Sequence, residues 1–207
     1  MIENLHINRC HWCNQNNPLY IEYHDKEWGV PVHDERKLFE MLLLESFQAG
    51  LSWECVLNKR EAFREAFDDF NYEKVAQYDN DKIEQLTATP GIIRHKLKIK
   101  AAITNAIIFI KIQKEYGSFD RYIWHFTKGK TFYENHKTTS PLSDSISKEL
   151  RKQGMKFVGS TIVYSYLQAI GIINSHEVGC YLYDKSLQVR FPNRSATFFG
   201  GAQALRL

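Results

Sequence analysis

The chain has 207 residues, 43% of them hydrophobic and 25% charged, the balance of an ordinary globular protein with one domain or two interleaved lobes. Lys plus Arg outnumber Asp plus Glu by only 27 to 24, so bulk charge neither demands nor excludes a polyanionic partner, and any nucleic-acid reading has to come from local patterning. No apolar run approaches the roughly 18 residues of a membrane span and the polar start lacks the core of a signal peptide, so a cytoplasmic protein with reduced cysteines is expected.

Helix signals dominate. Asp34 caps a segment running to about Ala49, in which Leu38, Phe39, Leu42, Leu43 and Phe47 recur near the helical period, and Gly50 supplies a stop. Ser52 reads as the cap of a second helix with Val56, Leu57 and Phe63 on one stripe. Asn71 begins a short third helix and Asp81 a fourth, carrying Ile83 and Leu86. Pro90-Gly91 breaks the pattern. From about Arg94 a long helix continues through Ile99, Ile103, Ala106 and Ile110 to Lys114, and another starts after Ser118 with Tyr122, Ile123 and Phe126 facing inward. Residues 127–141 are polar and read as an exposed loop. Ser143 opens a helix with Ile146 and Leu150 that stops at Gly154. A more apolar helix, with Ile162, Tyr164, Tyr166 and Leu167, runs from about Gly159 to Ala169 and is ended by Gly171. No alternating segment is long enough for a strand, so the expected fold class is all-α, with no repeats and no clear linker. The tail, residues 187–207, is weakly patterned and reads as loosely packed or partly disordered.

Three constellations carry chemistry. Cys10 and His24 near the start, with His176 and Cys180 near the end, make a four-ligand soft-metal set that would staple the two ends of one domain. Zn²⁺ takes thiolate and imidazole tetrahedrally, and four protein ligands leave no position for a reacting water, so such a site stabilises and does not catalyse. Four cysteines and eight histidines also produce such pairs by chance, and the CxxC of Cys10 and Cys13 leaves the first ligand open. The second constellation is the Pro90-Gly91 turn, followed by Arg94, His95, Lys96, Lys98 and Lys100 at the start of a helix whose free N–H groups and positive dipole end can receive a phosphate. An ordinary helix-helix connection with a solvated basic face fits the same residues. The third places Tyr20, Tyr23 and Trp28 around His24-Asp25, with Glu45, Gln48 and Trp53 at the junction of the first two predicted helices. A carboxylate in the apolar run around Glu45 is costly to bury unless it is paired or needed. It is either rotated to the helix edge beside a Lys or Arg, or it is the acceptor of an aromatic-walled pocket suited to a flat cationic ligand.

Taken together, Cys10-x-Trp12, the run from Asn17-Pro-Leu-Tyr20 through Tyr23-His24-Asp25-x-Glu27-Trp28-Gly-Val-Pro31, Leu38-Phe39-Glu40-Met41, Leu44-Glu45-x-x-Gln48-Ala-Gly-Leu-Ser-Trp53, Pro90-Gly-Ile-Ile-Arg-His95, Lys156-Phe-Val-Gly159 and His176-x3-Cys180 closely resemble the 3-methyladenine DNA glycosylase I family. The motifs span about residues 10–180, nearly the whole chain. The resemblance implies an all-α helix-hairpin-helix glycosylase fold occupying residues 1–207 as a single domain, with one structural zinc joining the terminal regions. It implies Cys10 rather than Cys13 as the first ligand, with His24, His176 and Cys180 as the others. Glu45 matches the pocket carboxylate and catalytic residue, Tyr23 and Trp53 the aromatic pair around the bound base, and Trp12 and Tyr20 further walls. Gly91, Ile92, Ile93, Arg94 and Lys96 match the DNA-binding hairpin. The turn from Gln48 through Gly50 to Leu51 is the candidate to enter the gap left by a flipped base. The chain departs from the family pattern at Ser46-Phe47 and in its longer tail.

The implied activity is monofunctional hydrolysis of the N-glycosidic bond of 3-methyladenine in alkylated double-stranded DNA, by a monomer that meets no membrane. Glu45 would accept hydrogen bonds from the base edge and favour its cationic form, with Tyr23 and Trp53 sandwiching the ring. Related hairpin enzymes place a catalytic Asp after the following helix; Glu115 and Asp120 lie in that region without a matching motif, and neither is assigned. A zinc hydrolase and a non-catalytic hairpin DNA-binding module are the competing classes. The deaminase signature His-x-Glu with Pro-Cys-x-x-Cys is absent.

Overall fold

The structure, a computed structural model, describes residues 7–183; the weakly patterned tail at 187–207 lies outside the described residues. Among the described residues the chain forms ten α-helices, one 3-10 turn and two strands of two residues each, so the fold is all-α. Its centre is α2 (Glu35–Gln48), capped by the Asp34 side chain, which accepts from the Lys37 N–H. Every residue of α2 from Leu38 to Phe47 is buried. A helix covered on all sides needs neighbours around its whole circumference, and α2 packs against α3 (Trp53–Leu57), α7 (Lys96–Tyr116), α8 (Phe119–His125) and α10 (Ser160–Ala169). Further helices are α4 (Arg60–Ala66), α5 (Tyr72–Val75), α6 (Asn80–Ala88) and α9 (Pro141–Gln153).

Several elements differ from expectation for local reasons. A helix not predicted, α1 (Pro18–Lys26), starts where Asn17 accepts from the Leu19 N–H and Pro18 occupies the first turn. It buries only Tyr20, Tyr23 and His24, too few for an apolar period to register. The predicted second helix is two. The chain leaves α3 at Asn58 and restarts at Arg60, and Val56, Leu57 and Phe63 are nevertheless all buried. Asp79, not Asp81, caps α6, and α7 begins at Lys96 with His95 as its cap. Ser140, not Ser143, caps α9. Ser143 closes a reciprocal capping box one turn on, and Pro141 fills the first helical position. The expected loop at 127–141 contains β1 (Phe132–Tyr133), which pairs in parallel with β2 (Ile173–Asn174), and Thr127 and Ser140 are buried. This small ladder fastens the loop beside the segment carrying His176. Gly171 ends α10 at φ +73, and a Cβ there would lie 2.3–2.4 Å from the Val30 and Pro31 backbone, so glycine lets the chain after α1 pass against the end of α10.

Buried charge is mostly paired. On α2, Glu40 accepts from Arg60 at 2.7 Å and from Arg64 at 3.0 Å, and Arg60 also makes a two-bond contact to Glu27 at 2.8 and 2.9 Å. Burial opposes ionisation of Glu27, but Arg60 and Lys37 outweigh it and hold its carboxyl down at about 2. This network fixes the end of α1 against α2 and α4.

Candidate active site and metal centre

Glu45 sits five positions beyond Glu40 on α2 and is treated in the opposite way. It is 2% exposed, its Oε2 has no hydrogen-bond partner within the protein, and no cation pairs with it among the described residues. The edge-paired reading therefore fails. Burial alone pushes the Glu45 carboxyl well above the usual carboxylate range. An unpaired carboxylate in a protein interior costs several kcal/mol when ionised, so the fold holds Glu45 there at an expense that packing does not explain.

Glu45 opens onto a cavity of about 320 Å³. Tyr20 and Tyr23 of α1, Gln48 of α2 and Trp53 of α3 line it with Trp12 and Trp28. Three further buried polar atoms of the lining lack partners, the acceptor Gln48 Oε1, the donor Trp53 Nε1 and the Ser175 hydroxyl, which can act as either. An aromatic cavity with unmet acceptors and donors is built for a flat ligand carrying both hydrogen-bond types. The sandwich expected of Tyr23 and Trp53 is not the geometry found. Their ring centroids lie 5.1 Å apart at 47°, in contact with one another. A third ring between them would need a gap of roughly 7 Å, two van der Waals separations, so the pair forms one continuous wall. Neither Glu115 nor Asp120 lines this cavity, and Asp120 is paired with His33 at 2.8 Å.

Behind the aromatic wall, Cys10, His24, His176 and Cys180 converge from both ends of the chain. All four are buried, and their ligand atoms lie within 4.8 Å of one another. Cys180 Sγ is 3.5 Å from His24 Nε2 and 3.7 Å from His176 Nδ1, and Cys10 Sγ is 3.6 Å from His176 Nδ1. Bond lengths of about 2.3 Å to sulfur and 2.0–2.1 Å to nitrogen place tetrahedral zinc ligands about 3.6 Å apart, so the donor set fits that ion. Cys13 is outside the group, its thiol directed to the Tyr20 carbonyl at 3.7 Å. Burial lowers the pKa of both imidazoles, that of His176 to about 4, keeping them in the neutral form that ligates. Asp25 fixes His24 by taking its Nδ1–H at 2.7 Å while Arg9 grips the same carboxylate, leaving Nε2 turned to the cluster. Each ligand except Cys180 is a sequence neighbour of a cavity residue: Cys10 of His11, His24 of Tyr23, His176 of Ser175 and Glu177.

The predicted hairpin joins α6 to α7. Gly91 takes φ +87, and a Cβ there would meet the Ala62 Cβ at 2.9 Å. Gly91 and Arg94 are exposed and Ile93 is half-buried; Ile92 is buried in the core, so its side chain anchors the turn rather than meeting DNA. Lys96 is exposed but paired with Glu84 at 2.5 Å. Lys98, part of the basic run in the sequence, points inward and is buried. Gly50 is exposed at φ +81 and Leu51 presents 42% of its surface, an apolar tip directly after cavity-lining Gln48.

A family model described as methyladenine glycosylase matches residues 12–183. The chain is 47% identical over 184 residues to DNA-3-methyladenine glycosylase 1 of Escherichia coli (strain K12), covering 86% of this chain and 97% of that protein. It superimposes on a crystal structure of 3-methyladenine DNA glycosylase I with TM-score 0.82 at 44% identity, over 86% of this chain and 100% of the other. A variant of another 3-methyladenine DNA glycosylase I, in complex with 3-methyladenine, matches with TM-score 0.81 at 37% identity, over 84% of this chain and 96% of that one. The chain belongs to the methyladenine glycosylase family.

In this methyladenine glycosylase Glu45, Tyr23, Trp53, Trp12 and Tyr20 line one cavity, and the hairpin is set apart from them. Sequence reasoning gives no place in the site to Ser165 and Gln168 of α10, Ser175, Glu177, or the residues 136–138 of the predicted open loop. It also misses His11, which stands between Cys10 and Trp12 and pairs with Glu177 across the two terminal segments. Its position between two singled-out residues is the available signal. For the loop there is none, because its approach depends on the two-residue ladder.

Proposed function

We propose that this protein hydrolyses the N-glycosidic bond of 3-methyladenine in alkylated double-stranded DNA, opening base excision repair, as a monofunctional glycosylase acting as a monomer. The observation carrying this reading is the unpaired, buried Glu45 carboxyl in an aromatic cavity. A methylated adenine still attached to its sugar is cationic and flat. Entering the cavity, it brings the opposite charge that Glu45 lacks and lowers the carboxyl's pKa toward the ionised form. Its exocyclic amine is a donor for Glu45 or Gln48, and a ring nitrogen is an acceptor for the Trp53 N–H. Aromatic faces supply stacking and cation-π attraction.

Extrusion from the duplex costs a few kcal/mol, which the hairpin and the turn at Gly50-Leu51 help to offset. Gly91, Ile93, Arg94 and Lys96 hold the backbone, Ile92 anchors that turn in the core, and Leu51 fills the gap in the stack. When the bond between the base nitrogen and C1′ breaks, its electron pair stays with the base, which leaves neutral. Water adds to C1′ and loses a proton to solvent. Lysine chemistry through a covalent intermediate would need an unprotonated amine. The cavity lysine, Lys137, is held in an ion pair with Glu134 at 2.5 Å.

Cys10, His24, His176 and Cys180 would hold one zinc ion whose contribution is structural, closing the chain ends behind the cavity wall. Among the described residues no helix is long and apolar enough to cross a membrane, and four free cysteines suit a cytoplasmic setting. The test is chromatography of bases released from methylated duplex DNA. Free 3-methyladenine is expected. Duplex binding without any released base would leave only a non-catalytic DNA-binding module.

A further inference from the structure

Lys98, in the basic run at the start of the hairpin helix, turns inward and is 5% exposed. Its ammonium donates to the Phe47 carbonyl at 2.8 Å and to the Ala49 carbonyl at 2.6 Å. These are terminal carbonyls of α2, which have no intrahelical partner and sit at the negative end of the helix dipole. The C-cap residue Ala49 leaves the helical region at ψ 112. Between and beside the two carbonyls lie Gln48, which lines the cavity, and Gly50-Leu51, the exposed tip. Lys98 itself is the third residue of α7, two positions after Lys96. The same side chain lies 6.0 Å over the Phe157 ring, in a segment that Asn105 of α7 holds through the Lys156 backbone at 2.8 and 3.0 Å. One buried cation thus joins the phosphate-gripping end of α7 to the end of the helix that carries the base pocket and its tip.

We propose that Lys98 is a positioning residue that fixes the distance between the DNA-gripping hairpin and the Gln48–Leu51 turn, so that backbone binding drives the turn into the duplex and the base into the cavity. This rests on the glycosylase reading above. A mobile turn could still admit a free base, because all of the cavity lining except Gln48 comes from outside the turn, including Tyr23 of α1, Glu45 of α2, Trp53 of α3 and Gln168 of α10. It could not hold register with a phosphate gripped by α7. Losing that register by an ångström or so is enough to slow a reaction by about a hundredfold.

The experiment compares the parent, Lys98→Met, Lys98→Gln and Lys98→Arg in four measurements: thermal melting, affinity for free 3-methyladenine, affinity for undamaged duplex, and 2-aminopurine fluorescence beside an abasic analogue with single-turnover base release. Lys98→Met, matched in length but without donors, should keep free-base and undamaged-duplex affinity. It should lose most of the 2-aminopurine rise and release base about tenfold to a hundredfold more slowly. Lys98→Arg should recover much of both. If Lys98→Met does not fold, Lys98→Gln, retaining one donor group, is held to the same outcomes. Release and fluorescence equal to the parent overturn the proposal, as does a fall in free-base affinity equal to the fall in release. A parent that binds and distorts duplex but releases no base would refute the glycosylase reading, while the fluorescence comparison still decides the role of Lys98.

Discussion

Two carboxylates on one buried helix separate structure from chemistry. Glu40 is surrounded by Arg60, Arg64 and Lys37, whereas Glu45 faces aromatic rings and has no cation among the described residues. In an unfolded chain a glutamate ionises at about pH 4.3, and burial moves the folded value of Glu45 well above the usual range. As pH rises past the unfolded value, the unfolded chain gives up the proton that the folded chain keeps, so stability falls with rising pH until the folded group also ionises. Glu45→Gln abolishes this linkage. The variant should melt higher than the parent near neutral pH, and the gap should shrink on acidification, in thermal scans between about pH 5 and 8. A gap that widened in acid would contradict the assigned protonation. In the sequence Glu45 stands in an apolar run, but so does Glu40, whose two arginine partners lie 20 and 24 residues away in the chain. Only folding distinguishes the paired carboxylate from the lone one.

Elements marked by strong local chemistry are legible in the sequence, and those fixed by tertiary packing are not. Asp34, Asn71 and Ser118 cap the helices that the sequence assigns to them, and Pro90-Gly91 marks the hairpin. The first helix is invisible because it buries only Tyr20, Tyr23 and His24, and the paired strands because two residues carry no period. Lys98 does carry a readable signal: it falls on the same stripe of α7 as Ala101, Ala102, Asn105, Phe109 and Ile112, all buried. Arg94 is on the other side of this division, exposed beside the Gly91 turn. Arg94→Glu should weaken binding to duplexes of any sequence and reduce the salt slope of log affinity by about one for each phosphate no longer neutralised, while affinity for free 3-methyladenine is retained. Salt titration of duplex and isothermal titration of the base check both halves. A sequence-selective loss, or an equal loss for the free base, would place Arg94 elsewhere in the interaction.

At the scale of the whole molecule, Cys10, His24, His176 and Cys180 gather from both ends of the chain, and three of the four adjoin residues of the cavity. Spacing does not choose between Cys10 and Cys13; in the structure Cys10 joins the group that could hold a metal, while the Cys13 thiol is directed to the Tyr20 carbonyl. Purified protein should carry about one zinc per chain. Cys10→Ser should lose it with a large drop in melting temperature, since structural zinc contributes on the order of 10 kcal/mol in small domains. Cys13→Ser should retain it. Full zinc in Cys10→Ser, by metal analysis alongside thermal melting, would overturn the ligand set. Chelation should also weaken base binding, because the ligands' neighbours form the cavity wall. In the proposed reaction a lone buried carboxyl receives a cationic base lifted from DNA. The direct measurement is single-turnover release of labelled 3-methyladenine from methylated duplex by the parent and by Glu45→Gln, with circular dichroism and zinc content taken on the same samples. Loss of a charge-assisted hydrogen bond of about 1.5–3 kcal/mol predicts release slowed about tenfold to a few hundredfold, with fold and zinc intact. Release by Glu45→Gln at the parent's rate would contradict the account.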